Sequence, residues 1–204
     1  MAVVYMSADK VRMPKQKRSI EIKKKIKATA QKLFCEKGYY NTSSNEIVKA
    51  AGSSIGTFYS YFSDKKALFI EILHEYNQNI VAQVQVKTIQ DDDPRIIIQQ
   101  YIHAVLDAHS YSPQFHREML AMTYADEEIR NIVDHYETEM IKQIAQLLNE
   151  NPKLIRVTDI NNAALLIFKS VEEVVHSIRI FGRSCDESSM IRELTDMICC
   201  YVLK

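Results

Sequence analysis

The side chains best suited to a nucleic-acid duplex concentrate in residues 43–62. Gly56 and Thr57 are small enough to let a backbone approach a groove. Tyr59 and Tyr61 carry hydroxyls that can reach phosphates, and Lys65, just beyond, supplies a cation for one. Phe58 and Phe62 are apolar and suit anchoring the same segment to its own domain. Other reactive residues lack the spacing their chemistry needs. His103, His109 and His116 follow one another at intervals of six and seven residues, but Pro113 breaks the helix between them. Asp91-Asp92-Asp93 reads as a solvated loop, and Cys35, Cys185, Cys199 and Cys200 form no CxxC pair. The cysteines are expected to be small buried hydrophobes. No metal and no cofactor is expected. There is no nucleophile elbow, zinc signature, phosphate loop or acid–base pair of known spacing, so no enzyme activity is expected.

The elements that would position the 43–62 segment are helical. Ile22, Ile26, Ala30, Leu33 and Phe34 recur at helical spacing from Arg18 onward, and Gly38 ends that helix. Ser43 and Glu46 make a capping box that opens a second helix. Ala51-Gly52-Ser53 is a tight turn, and Ser53 or Ser54 caps a third, short helix. Two short helices across such a turn have the spacing of a helix-turn-helix, whose second helix enters the major groove. Ser63-Asp64 then opens a long helix expected to reach about Ile89. Asp93-Pro94, Ser112-Pro113 and Asp126 start three more, and helices over 159–181 and 186–202 complete the chain. The fold class is all-α with about nine helices. Three parts are expected: a flexible basic arm over 1–17, a helix-turn-helix domain over 18–63 and a helical domain over 64–204.

Charge supports that division. The whole chain carries 26 basic and 26 acidic residues. Residues 1–66 hold 14 basic against five acidic ones, a net +9, and residues 67–204 carry −9. A basic head on an acidic body suits a polyanion partner for the head alone. Only four glycines disfavour Gly-rich nucleotide cradles. The apolar runs, such as 163–168, are far below the roughly 20 residues of a membrane span, and no signal-peptide core is expected to open the chain. A soluble, cytoplasmic protein with no membrane partner is expected.

The stretch Lys37-Gly38-Tyr39-Tyr40-Asn41-Thr42-Ser43, followed by Ala51-Gly52-Ser53-Ser54-Ile55-Gly56-Thr57-Phe58-Tyr59-Ser60-Tyr61-Phe62-Ser63-Asp64-Lys65-Lys66-Ala67-Leu68, resembles the DNA-binding domain of TetR-family transcriptional regulators. Ala30, Leu33 and Phe34 match the helix before it, so the resemblance covers about residues 18–73. Ser44 and Ser53 stand where the family more often has an apolar residue, and Val48 where a small Ala is usual. The resemblance implies that Thr42, Ser43, Tyr59, Tyr61 and Lys65 meet phosphates. It implies that Ser54, Ile55, Gly56, Thr57 and Ser60 lie near base edges. Ile55 cannot hydrogen-bond a base, so there it reads thymine methyls or acts by shape. Tyr39 and Tyr40 are expected to be packing residues.

The same resemblance implies a helical body that dimerises and binds a small effector. The helices over 159–181 and 186–202 could form an intersubunit four-helix bundle. A pocket is expected among the helices over 94–109, 113–123 and 126–149, with 159–181 as a wall. Its candidate liners are Tyr101, His103, Leu106, Phe115, His116, Met119, Met122, Tyr124, His135, Tyr136 and Phe168, an adaptable and largely apolar set. The expected function is a homodimeric repressor that binds an inverted-repeat operator in double-stranded DNA and is released by a small, largely apolar effector. The alternatives are an all-helical enzyme or a protein-binding adaptor whose basic head is incidental.

Overall fold

The computed structural model describes residues 17–84, 93–110 and 112–204. Most of the expected basic arm, the helix end near Ile89 and the Asp91-Asp92 pair lie outside the described residues. Among those described there are nine α-helices and no sheet; one isolated antiparallel bridge joins Ile155 to Leu203. No described helix is long and apolar enough to cross a membrane.

The chain divides into two compact units, Met1–Glu75 and Tyr76–Lys204. In the first, α1 (Lys17–Lys37), α2 (Ser44–Ala50), α3 (Ile55–Tyr61) and the start of α4 (Lys65–Gln83) surround an aromatic centre. Phe34, Tyr39 and Phe69 meet edge-on or tilted, with ring centroids 5.3–5.6 Å apart. Each such buried ring contributes about 1.5–3 kcal/mol by leaving water. Phe58 and Phe62 are fully buried, as their anchoring role requires. Tyr40 departs from expectation: its edge touches Tyr39, yet it is 72% exposed. It follows Tyr39 in the turn between α1 and α2, with its side chain on the solvent side. Lys23 and Lys27 pair with Glu71, and Lys27 also with Glu75, tying α1 to α4. These contacts, with buried Leu68, Phe69 and Ile72, join the first part of α4 to the first unit.

The second unit contains the rest of α4, then α5 (Pro94–His109), α6 (Pro113–Ala125), α7 (Glu127–Glu150), α8 (Ile160–Val175) and α9 (Glu187–Val202). Asp93, Asp126, Asp159 and Asp186 cap α5, α7, α8 and α9 by accepting backbone N–H bonds. Each cap is worth roughly 1 kcal/mol. The core runs through Val105, Ile144, Ala164, Phe168, Leu194 and Ile198. A π-helical turn, His176–Ile180, extends α8. The cysteines are not the buried set expected: Cys185 and Cys200 are exposed, and Cys35 and Cys199 are half-buried. Cys185 follows Gly182 in the loop before α9, and Cys200 takes the outward side of that helix while Ile198 and Val202 point in.

Candidate functional site

Helix α3 owes its start to Ser54, whose Oγ accepts the Thr57 N–H at 3.1 Å. Ser43 does the same for α2, accepting from Glu46 N at 3.2 Å, as the capping box predicts. Between the helices Gly52 adopts φ +63°, a left-handed conformation that side chains disfavour. A Cβ there would meet only Lys25 Nζ at 3.6 Å, so backbone conformation and not crowding selects this glycine. The turn leaves one side of α3 open to solvent. Ser54, Ile55, Gly56 and Tyr59 are exposed on it, and Ser43 is exposed at the head of α2.

The remaining expected contacts are engaged within their own unit. The Ser60 hydroxyl donates to Thr57 O at 2.7 Å, and the Thr57 hydroxyl shares a 2.8 Å bond with Ser54. Thr42 is buried, its hydroxyl donating to Gly38 O at 2.9 Å. Tyr61 is also buried, its hydroxyl 2.6 Å from Ser19 Oγ. Lys65 Nζ donates to Tyr39 O and Thr42 O, both at 2.7 Å, and sits 4.2 Å from the centre of the Tyr39 ring. Burial lowers its pKa. An ammonium has three donors, so one remains for an outside acceptor.

The second unit holds a cavity of about 60 Å³, enough for several waters or a small ligand. His116, Met119, Tyr136 and Phe168 of the expected pocket line it. Tyr101 instead lines a separate apolar hollow with Ile97, Leu148 and Ile198. Leu106, Phe115 and Met122 are core residues. His103, Tyr124 and His135 are exposed, because their helix positions face away from the neighbouring helices. The cavity is also less apolar than expected, because it gathers His109, Glu172 and His176 as well.

These polar groups form a compact set. The His109–His116, His109–His176 and His116–His176 ring centroids are 4.8, 5.3 and 4.7 Å apart. His109 Nδ1 donates to Val105 O at 2.8 Å, which turns its Nε2 toward Glu172 Oε2 at 3.5 Å. His176 Nε2 lies 3.0 Å from the same oxygen but out of line for a hydrogen bond. His116 Nδ1 pairs with the Tyr76 hydroxyl at 2.9 Å. Burial opposes the Glu172 charge, but His109 and His176 hold its carboxyl far below the usual carboxylate range. Burial likewise lowers His109, yet Glu172 and the Val105 carbonyl raise it overall. His116 is held well below the ordinary histidine value by burial and by its two histidine neighbours.

The spacing of His103, His109 and His116 along the chain hides this arrangement. α5 ends on His109 and α6 starts at Pro113, so the break between the two helices brings His116 back beside His109. His176 and Glu172, one helical turn apart on α8, arrive from sixty residues further on, and only their i,i+4 spacing was available as a signal.

Comparison with known proteins follows the two units. Residues 26–72 match bacterial regulatory proteins of the tetR family, and residues 93–201 match the tetracyclin repressor-like C-terminal domain. The chain is 40% identical over 75 residues to the uncharacterized HTH-type transcriptional regulator YuxN of Bacillus subtilis (strain 168), covering 37% of this chain and 26% of that one. It is 29% identical over 114 residues to YvdT of the same organism, described in the same words, covering 56% and 57%. The chain therefore aligns with about a quarter and just over half of the lengths of these relatives. Salmonella enterica GusR shares its fold, with a TM-score of 0.73 at 19% identity over 92% of this chain and 98% of that one. The chain belongs to the tetR family of bacterial regulatory proteins.

Proposed function

We propose that this chain is a DNA-binding transcriptional regulator. It acts as a homodimeric repressor that inserts α3 into the major groove of an inverted-repeat operator and leaves when a small effector occupies the cavity among α5, α6, α7 and α8. Two recognition helices then meet groove faces about 34–36 Å apart. Ser54, Ile55, Gly56, Thr57 and Ser60 face the bases. Ser43, Tyr59 and the third donor of Lys65 meet phosphates. Thr42 and Tyr61 serve as positioning residues: the Thr42 carbonyl holds Lys65, and the Tyr61 hydroxyl holds α3 to Ser19 of α1.

The observation that carries the DNA reading is Gly56. A helical glycine costs roughly 0.5–1 kcal/mol relative to alanine. A Cβ at Gly56 would meet nothing nearer than Ser54 Oγ at 3.9 Å, so the protein's own packing does not require the gap. A groove wall passing close to an exposed helix does require it. The description of YuxN and YvdT as HTH-type transcriptional regulators favours the same reading over an enzyme or an adaptor.

Gly56→Ala separates the two demands. Its thermal midpoint should rise, in line with roughly 0.5–1 kcal/mol of added helix stability. Its affinity for the DNA upstream of its own gene should fall at least about tenfold. A variant that is stabilised and binds as well as the parent would remove α3 from the groove.

A further inference from the structure

Four groups in the second unit converge from three segments: His109 at the end of α5, His116 in the first turn of α6, and Glu172 with His176 at the end of α8. One ligand nitrogen from each histidine lies within 4.8 Å of the other two. His116 is 2% exposed and its Nε2 has no hydrogen-bond partner among the described residues; His176 Nε2 is also buried and makes no aligned hydrogen bond, facing only Glu172 Oε2 at 3.0 Å. Leaving a buried polar atom unpaired is unfavourable, so the His116 nitrogen is a standing deficit that a ligand can remove.

The outer contacts orient the rings as ligands. A carbonyl only accepts, so the Val105 carbonyl fixes the proton of His109 on Nδ1 and directs Nε2 into the cluster. The Tyr76 hydroxyl lies 2.9 Å from His116 Nδ1, and when it accepts from that nitrogen it leaves Nε2 with a free lone pair. A ring nitrogen held from behind while its partner points inward is the usual second shell of a metal-binding histidine. The π-helical turn opening at His176 is a common device for re-aiming a side chain at a functional position.

We propose that His109, His116 and His176, with Glu172, bind one divalent transition-metal ion of the zinc class. Three imidazoles and a carboxylate suit Zn²⁺, Co²⁺ or Ni²⁺, and an all-oxygen preference excludes Mg²⁺ and Ca²⁺. Around zinc, with Zn–N bonds of about 2.0–2.1 Å, tetrahedral ligand nitrogens lie roughly 3.3 Å apart. Contraction from the present separation requires each ring to move inward by less than about 1 Å, within reach of side-chain rotation. The ion satisfies the unpaired His116 nitrogen, gives His176 Nε2 an aligned partner and neutralises Glu172. It names the chemistry of the cavity's ligand, and in that respect rests on the effector reading; the binding itself does not.

The test uses the full, untagged chain stripped with chelator, then titrated with Co²⁺ and Zn²⁺. The expected result is one ion per chain, with the visible absorption of Co²⁺ in a low-symmetry nitrogen–oxygen site, displaced by Zn²⁺. Zinc should raise the thermal midpoint of the unaltered chain and Mg²⁺ should not, a readout independent of whether variants fold. His116→Gln and His176→Ala should each weaken binding at least about tenfold, and Cys185→Ser, exposed and outside the cavity lining, should leave it unchanged. Absence of stoichiometric binding, or binding undiminished in a His116→Gln/His176→Ala double variant, overturns the proposal. An operator assay with added Zn²⁺ distinguishes the two readings. Metal bound at the histidines without any change in operator affinity supports the ion site and counts against the cavity as the effector site.

Discussion

At the scale of single residues, the DNA-facing surface divides into side chains that bond within the protein and side chains left to solvent. Ile55 belongs to the second group, and as a hydrocarbon it discriminates bases only through methyl contact or shape. Ile55→Ala should therefore shift the preferred sequence at one or two positions and leave binding to random duplex unchanged. Selection from a random DNA pool checks this, and an unaltered consensus would remove Ile55 from direct readout. The caps at Ser43 and Ser54 could be read from sequence because capping is local, reaching three residues along the chain. The engagement of Thr42 and Tyr61 could not, because their partners and their burial come from elsewhere in the fold. A hydroxyl in a recognition segment carries no local sign of whether tertiary structure has already used it.

At the scale of elements, helix order followed from punctuation that acts over a few residues: Asp-Pro, Ser-Pro and the glycines after helices. The same reasoning failed where two elements had to be placed against each other. Pro113 ends the helical register between His109 and His116, but a helix break is also what lets a chain double back and bring them together. The outward faces of α8 and α9 show the complementary case. Leu166 is 54% and Met197 52% exposed, and with Tyr201 they line one shallow hollow. Exposed apolar residues grouped in this way mark an interaction surface, and two such helices from each of two subunits would cover one another. Leu166→Glu should destabilise the homodimer by about 2 kcal/mol or more, roughly thirtyfold in its dissociation constant. Light scattering across a dilution series checks this. An unchanged dimer would move the interface off this face.

At the scale of the whole molecule, the net +9 of residues 1–66 and −9 of the remainder assign the polyanion partner to one end of the chain. Helix α4 contributes residues to both compact units and has no glycine or proline between Lys65 and Gln83. An uninterrupted helix of that kind gives ligand binding in one unit a covalent route to the other, with coupling typically worth about 1–3 kcal/mol. Charge alone, however, gives only salt-sensitive binding without sequence preference. What distinguishes a regulator is the gap between specific and non-specific affinity. The most direct measurement is therefore titration of the full chain, at fixed salt near physiological strength, against the duplex upstream of its own gene and against a scrambled duplex of equal composition. The account predicts at least about a thousandfold preference for the upstream duplex, with two chains on each site. Equal affinity for the two duplexes would contradict it.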